Sequence, residues 1–211
     1  MVILLVKGVV VGMVIAVPVG PVGVLCVRRT LFEGALFGIV SGIGAAVADV
    51  IFGAIAGLGL TVVSDALLGY QDAFGTFGGL YLLAIGARAF FKRDQADPPP
   101  LSGEKLAAAF ASTFALTITN PITILAFAAI FAKIGLDAGV ATWPQVSIML
   151  GGVFAGSLLW WLGLSFGIAV LRKLFGAVHI KWLNRISGAI LIASGIGLLA
   201  SVALDMMGHP L

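Results

Sequence analysis

The sequence predicts an all-α integral membrane protein, with six transmembrane helices arranged as two inverted three-helix repeats and breaks in helices one and four. Three observations predict it. Hydrophobic residues make up 61% of the 211 and charged residues only 10%, where a soluble domain carries about 25% charged residues. With a mean hydropathy of +1.18, the chain lacks the polar surface to coat a particle in water, and lipid is the alternative solvent. Six apolar stretches of bilayer-crossing length stand out, at 5–27, 34–60, 68–91, 107–132, 146–171 and 183–204, and two of them carry proline interruptions at matching places.

The stretches are apolar on nearly every side, which reads as helix; strands of a membrane barrel would alternate apolar and polar residues. The first stretch has no positive segment before it and is followed by Arg28 and Arg29, so a retained span is expected rather than a signal peptide. Basic residues then set the orientation. Arg28 and Arg29 fall between spans one and two, Lys92, Arg93 and Lys105 between three and four, and Arg172, Lys173, Lys181 and Arg185 between five and six. The opposite side has Lys133, with Lys7 near the start. The positive-inside rule predicts both termini outside the cytoplasm.

Pro98, Pro99 and Pro100 sit in the longest polar segment, and a proline run favours an extended linker over a helix. The expected organisation is a first three-helix repeat at 1–91, a cytoplasmic Pro-rich linker at 92–106 and a second repeat at 107–211, all in one membrane domain. Three spans per half place related halves upside down relative to each other, as in many secondary transporters.

The candidate site follows from the interruptions. Span one contains Pro18-Val19-Gly20-Pro21, and span four contains Thr119-Asn120-Pro121. Proline removes a backbone donor and breaks the helix, which frees N–H and C=O groups and exposes the dipole ends of half-helices. Paired breaks in matching spans are the best sequence pointer to a transporter's binding site, which singles out Pro18, Gly20, Pro21, Asn120 and Pro121. Asp49 lies near the middle of span two, where a carboxylate costs about 2.5–3.5 kcal/mol to insert. Gly42, Ala45, Ala46, Gly53 and Ala56 share its face, whereas Ile43, Val47, Val50, Ile51 and Leu58 lie opposite. The small face suits close packing or a cavity. Asp49 there can bind an ammonium, carry a coupling proton, ligate a cation, or serve as a structural carboxylate bonded to a neighbouring helix.

Other features read as packing. Gly34, Gly38 and Gly42, Gly75 and Gly79, and Gly152 and Gly156 are small-xxx-small patterns for helix contact, within one chain or across a homodimer. Trp143 and Trp182 fall at span starts, as interfacial tryptophans do, while Trp160 and Trp161 fall mid-span and read chiefly as packing. Threonines and serines of span four, including Thr113, Thr117 and Thr123, can bond to their own helix. Arg88 can snorkel to the interface. Cys26, the single cysteine, reads as a small apolar filler. His179 and His209 suggest no role. The sequence offers no phosphate-binding loop for ATP, no zinc-type cluster and no nucleophilic triad. No cofactor, enzymatic activity or nucleic-acid partner is expected, and the net charge of +3 fits basic loops beside a membrane.

With these motifs in order, the chain resembles the LysE/RhtB amino-acid exporter family over nearly its whole length. The likeness rests on Pro18-Val-Gly-Pro-Val-Gly, Gly34-x-x-x-Gly38, Ser41-Gly-x-Gly with Asp49, and Gly78-Gly-Leu-Tyr-Leu-Leu-Ala-Ile-Gly-Ala-Arg88. Asn120-Pro121 and Ile186-Ser-Gly-Ala-Ile-Leu-Ile complete it. The resemblance implies export of amino acids or related zwitterionic solutes across the bacterial inner membrane, driven by proton antiport. It also implies that Pro21, Asp49, Asn120 and Pro121 lie near the transport site. Proton exchange at Asp49 is then the expected coupling step. Many members have Lys after Asn-Pro, where this chain has Ile122. A divalent-cation exporter of the same superfamily is the alternative reading, and a non-transporting membrane scaffold the third.

Overall fold

The computed structural model describes residues 1–17, 20–57, 69–91, 101–120, 142–172, 174 and 177–208, together with Thr123, Ala126, Phe127, Ala129 and Ile130. These residues form seven helices and, among them, no strand: α1 (Val2–Ala16), α2 (Pro21–Phe32), α3 (Ala35–Gly57), α4 (Gln71–Phe91), α5 (Gly103–Ile118), α6 (Trp143–Arg172) and α7 (Ala177–Met206). By length and hydropathy, α3, α4, α6 and the Trp182–Met206 part of α7 can each cross a bilayer, and α1 and α2 meet the same test only when taken together as a bent pair. The fourth predicted span is represented by α5 alone as a continuous helix, because the stretch that follows lies largely outside the described residues.

The break in span one falls where the prolines placed it. α1 stops at Ala16, and α2 starts at Pro21 with its axis bent by 82°. Proline at the first position of a helix loses no bond, since that N–H has no partner within the helix. Pro18 itself lies outside the described residues. α2 then runs to Phe32, five residues past the predicted end of the span. Arg28 and Arg29 are therefore helical rather than loop residues, and Arg29 is buried. The helix yields to α3 at Gly34, whose φ of +112° only glycine adopts without strain; this glycine makes a turn and not the helix contact its spacing suggested.

In span four, α5 begins at Gly103, inside the predicted linker, so Lys105 lies on its first turn. Ser102 caps that turn by accepting a hydrogen bond from the Lys105 N–H at 3.3 Å. The helix ends at Ile118, before Asn120; Pro121 and the prolines at 98–100 lie outside the described residues.

Of the four continuous spans α3 is the most enclosed. It packs against α5 on one side and α6 on another, while α1 packs along α6 and α4 along α7. Lipid tails are as apolar as leucine, so helices associate in a bilayer through close fit, and small residues allow it. Gly8 and Gly12 of α1 face Gly152 and Val153 of α6, and a Cβ added at Gly152 would come within 2.9 Å of the Gly8 Cα. Gly86 and Gly188 face each other in the same way between α4 and α7. Gly152→Ala is accordingly expected to destabilise the protein by about 1–3 kcal/mol, as overpacking against backbone does. Gly151→Ala next to it, where an added Cβ meets nothing within 4 Å, leaves stability within about 1 kcal/mol. Detergent-titrated unfolding of both variants checks the contrast.

Candidate functional site

The helix break in span one, the end of α5 and the carboxylate of α3 meet at one place. A cavity of about 500 Å³ is lined by Gly20, Pro21 and Val22 at the start of α2, and by Ala45 and Asp49 of α3. Thr117 and Asn120 at the end of α5, Thr123 and Ala126 beyond it, and Trp161 of α6 line it further. Val14, Ile15, Ala16 and Ile130 supply apolar wall. Four of the six residues singled out from the sequence, Gly20, Pro21, Asp49 and Asn120, therefore share one chamber; Pro18 and Pro121 lie outside the described residues.

Asp49 is 3% exposed and accepts a hydrogen bond from Ser157 Oγ on α6 at 2.7 Å. Burial of an intramembrane carboxylate requires such a partner. The carboxylate is tied to a second helix, as the structural reading expects, and it also borders the cavity. The sequence's small face is the inward one: Gly42, Ala45, Ala46 and Gly53 are buried, whereas Ile51 is exposed on the outer side.

The chamber is electrically asymmetric. α2 presents its N-terminus there, the positive end of the helix dipole, and α5 presents its C-terminus, the negative end. Gly20 has φ −91° and ψ −170°, open to any residue, and an added Cβ there would meet nothing within 4 Å. Its contribution is space. Trp161 is 4% exposed, and its indole Nε1 has no hydrogen-bond acceptor among the described residues. The chamber thus holds a negative group and a positive helix end within one small volume.

Three of these groups were not legible as site residues. Trp161 was read as packing, and it does pack in the buried cluster with Ala16, Cys26, Ala45 and Ala46, but it also lines the cavity. Ser157 was missed. In the structure Met149, Val153, Ser157, Trp161 and Ser165 recur every four residues and are all buried, which places Ser157 and Trp161 on one inward stripe. Thr117 bonds the Thr113 carbonyl at 2.9 Å, as expected of a helical threonine, while lining the chamber. Cys26 is buried and free, in keeping with its reading as filler.

A multi-pass helical bundle that encloses a cavity bordered by a buried carboxylate and by helix ends is an architecture suited to membrane transport. The chain belongs to the LysE type translocator family, whose model matches residues 13–202. It is 27% identical over 175 residues to a protein of Escherichia coli (strain K12) named "Uncharacterized membrane protein YahN", covering 78% of this chain and 75% of that one. It is 25% identical over 191 residues to "Putative amino acid efflux protein YcgF" of Bacillus subtilis (strain 168), covering 89% of this chain and 90% of that one. No solved structure matches the chain at comparable significance.

Loss of the Ser157 donor to Asp49, the one such donor among the described residues, tests the geometry. Ser157→Ala is expected to lower stability by about 1–2 kcal/mol, the scale of a hydrogen bond to a charged group or of the stronger interhelical bonds in membranes. In an Asp49→Asn background the same substitution is expected to cost less, and a double-mutant cycle of unfolding free energies reads the difference.

Proposed function

We propose that this protein exports amino acids or related small zwitterions from the cytoplasm, by alternating access coupled to proton antiport. The observation that carries the reading is the pairing of opposite electrical features in one chamber. A zwitterion has a carboxylate and an ammonium a few ångströms apart. The α2 N-terminus suits the carboxylate, and Asp49 with the carbonyl end of α5 suits the ammonium. Asp49 serves as the coupling group: protonation releases the ammonium, and deprotonation restores its partner.

The packing supports an inverted-repeat frame for this cycle. Exchanging the first three spans for the last three maps the α1–α6 contact onto the α5–α3 contact, and both pairs pack extensively. The α3–α6 contact maps onto itself, as does α4–α7. In this frame one half rocks against the other around the chamber. The basic ends of the helices face the cytoplasm, which sets both termini outside it, and the membrane is the bacterial inner membrane. The family relationship and the printed name of the Bacillus subtilis relative support efflux as the direction.

The alternative of a divalent-cation exporter is less well supported. Among the described residues that line the chamber Asp49 is the single carboxylate, and hard cations take six or more oxygen ligands.

Vesicles containing the purified protein test the proposal. With a panel of labelled amino acids, a pH gradient is expected to drive saturable flux of at least one. Asp49→Asn is expected to abolish gradient-driven flux while the variant still inserts and keeps its helical signal. Gradient-driven flux that survives in Asp49→Asn removes the carboxylate from the coupling mechanism, and flux of a divalent cation alone replaces the substrate class.

A further inference from the structure

A second cavity, of about 400 Å³, opens at the end of the bundle where α2 and α4 finish and α5 starts. Its lining includes four cations, Arg28, Arg29, Arg88 and Lys105, against one carboxylate, Glu33. The ion pairing inside it is weak: the Arg28 to Glu33 contact is 3.8 Å. Arg28 Nε is buried without a hydrogen-bond partner among the described residues, and its guanidinium is held over the Phe32 ring at 5.7 Å.

Arg29 is the deepest of the four, at 7% exposure. Its Nη1 donates to Ser41 Oγ at 2.8 Å, to the Ala109 carbonyl at 2.9 Å and to Thr113 Oγ1 at 2.7 Å. Its Nη2 donates to Tyr81 OH at 3.2 Å and Ser112 Oγ at 2.7 Å. Every acceptor is neutral, so a permanent cation sits buried with dipoles and no counter-charge among its hydrogen-bond partners. Arginine offers a planar fork that matches a carboxylate, and bonds between charged partners are roughly twice as strong as neutral ones.

The position of Arg29 links the two cavities. Its acceptor Ser41 lies one helical turn from Ala45 of the central chamber, and its acceptor Thr113 lies one turn from Thr117. Its guanidinium borders the basic cavity, and its anchors stand one turn from the central chamber.

We infer that the basic cavity is a carboxylate-binding site separate from the central chamber. It takes the carboxylate of the exported solute on entry, and Arg29 is the partition that this carboxylate draws aside. The identity of the bound carboxylate as the solute's own rests on the proposed function; binding of an anion by the cation cluster does not. A phosphate headgroup of an anionic lipid shares the chemistry, and the test separates the two sources.

The full-length protein is placed in nanodiscs of neutral phosphatidylcholine, and thermal unfolding is followed at fixed ionic strength as sodium propionate replaces sodium chloride. A saturable rise in Tm of about 4 °C at ten times Kd is expected. Arg88→Gln with Lys105→Gln, at two exposed residues of the cavity rim, is expected to weaken the response at least tenfold. Arg172→Gln, a charge removed outside this cavity, keeps it. No response of the unsubstituted protein beyond chloride, or an undiminished response in the double variant, overturns the proposal. Stabilisation by phosphatidylglycerol nanodiscs without any propionate response assigns the site to a lipid phosphate and overturns the solute reading. Because the readout is binding, loss of amino-acid flux with the propionate response intact counts against the transport proposal alone.

Discussion

A helix that stops inside a bilayer must find new partners for its free backbone groups, because hydrocarbon offers none. That constraint organises the rest of this protein. Span one is interrupted between Ala16 and Pro21, and α5 ends at Ile118. Both ends turn toward the same chamber, where Asp49, Asn120 and Trp161 also gather. Non-helical backbone is tolerated at membrane depth where it is enclosed by protein or lines a polar cavity, and the arrangement around this chamber meets that condition. The same enclosure allows the Asp49 carboxylate to sit deep within α3, with Ser157 as its donor.

Enclosure requires helices that approach closely, and the small residues provide the approach. Gly8, Gly12, Gly152 and Gly156 bring α1 against α6, and Gly44 brings α3 against the backbone of α5 at Phe110. The resulting bundle is tight around two polar regions that share helices α2, α3 and α5. One is the chamber with its carboxylate. The other is the cation cluster one turn away, with Arg29 tied to α3, α4 and α5. A negative inner chamber and a positive outer cavity thus stand about one helical turn apart, an arrangement in which the proposed zwitterion would meet opposite attractions in sequence.

Much of this was legible in the sequence, for reasons that are themselves physical. Proline breaks are local chemistry, so the interruption at 18–21 and the end of α5 before Asn120 could be placed from sequence alone. Asp49 announced itself because carboxylates in apolar helices are costly, and its small-residue face gave the correct inward direction. Arg29 was misread because a basic pair after an apolar run is the usual mark of a loop. Periodicity held the correction, since Pro21, Leu25 and Arg29 recur every fourth residue along α2 and Leu25 is a buried core residue. Trp161 and Ser157 were obscured for a different reason: α6 is apolar all round, and only the contact with α3 shows which stripe faces inward. The convergence of α3, α4 and α5 on Arg29 depends on tertiary packing, which no local pattern encodes.

The central claim is that the chamber around Asp49 is a water-filled solute site within the membrane, and accessibility of a thiol tests it most directly. In a Cys26→Ala background, Ala126→Cys puts a thiol on the chamber wall and Leu80→Cys puts one on the outer face of α4. Thiols react as thiolates, which need water. In membranes containing the protein, a membrane-impermeant maleimide is expected to modify Ala126→Cys and to spare Leu80→Cys, and a transported solute at saturation is expected to slow the reaction. An Ala126→Cys thiol as inert as that of Leu80→Cys, or one modified at the same rate with and without solute, would contradict the account.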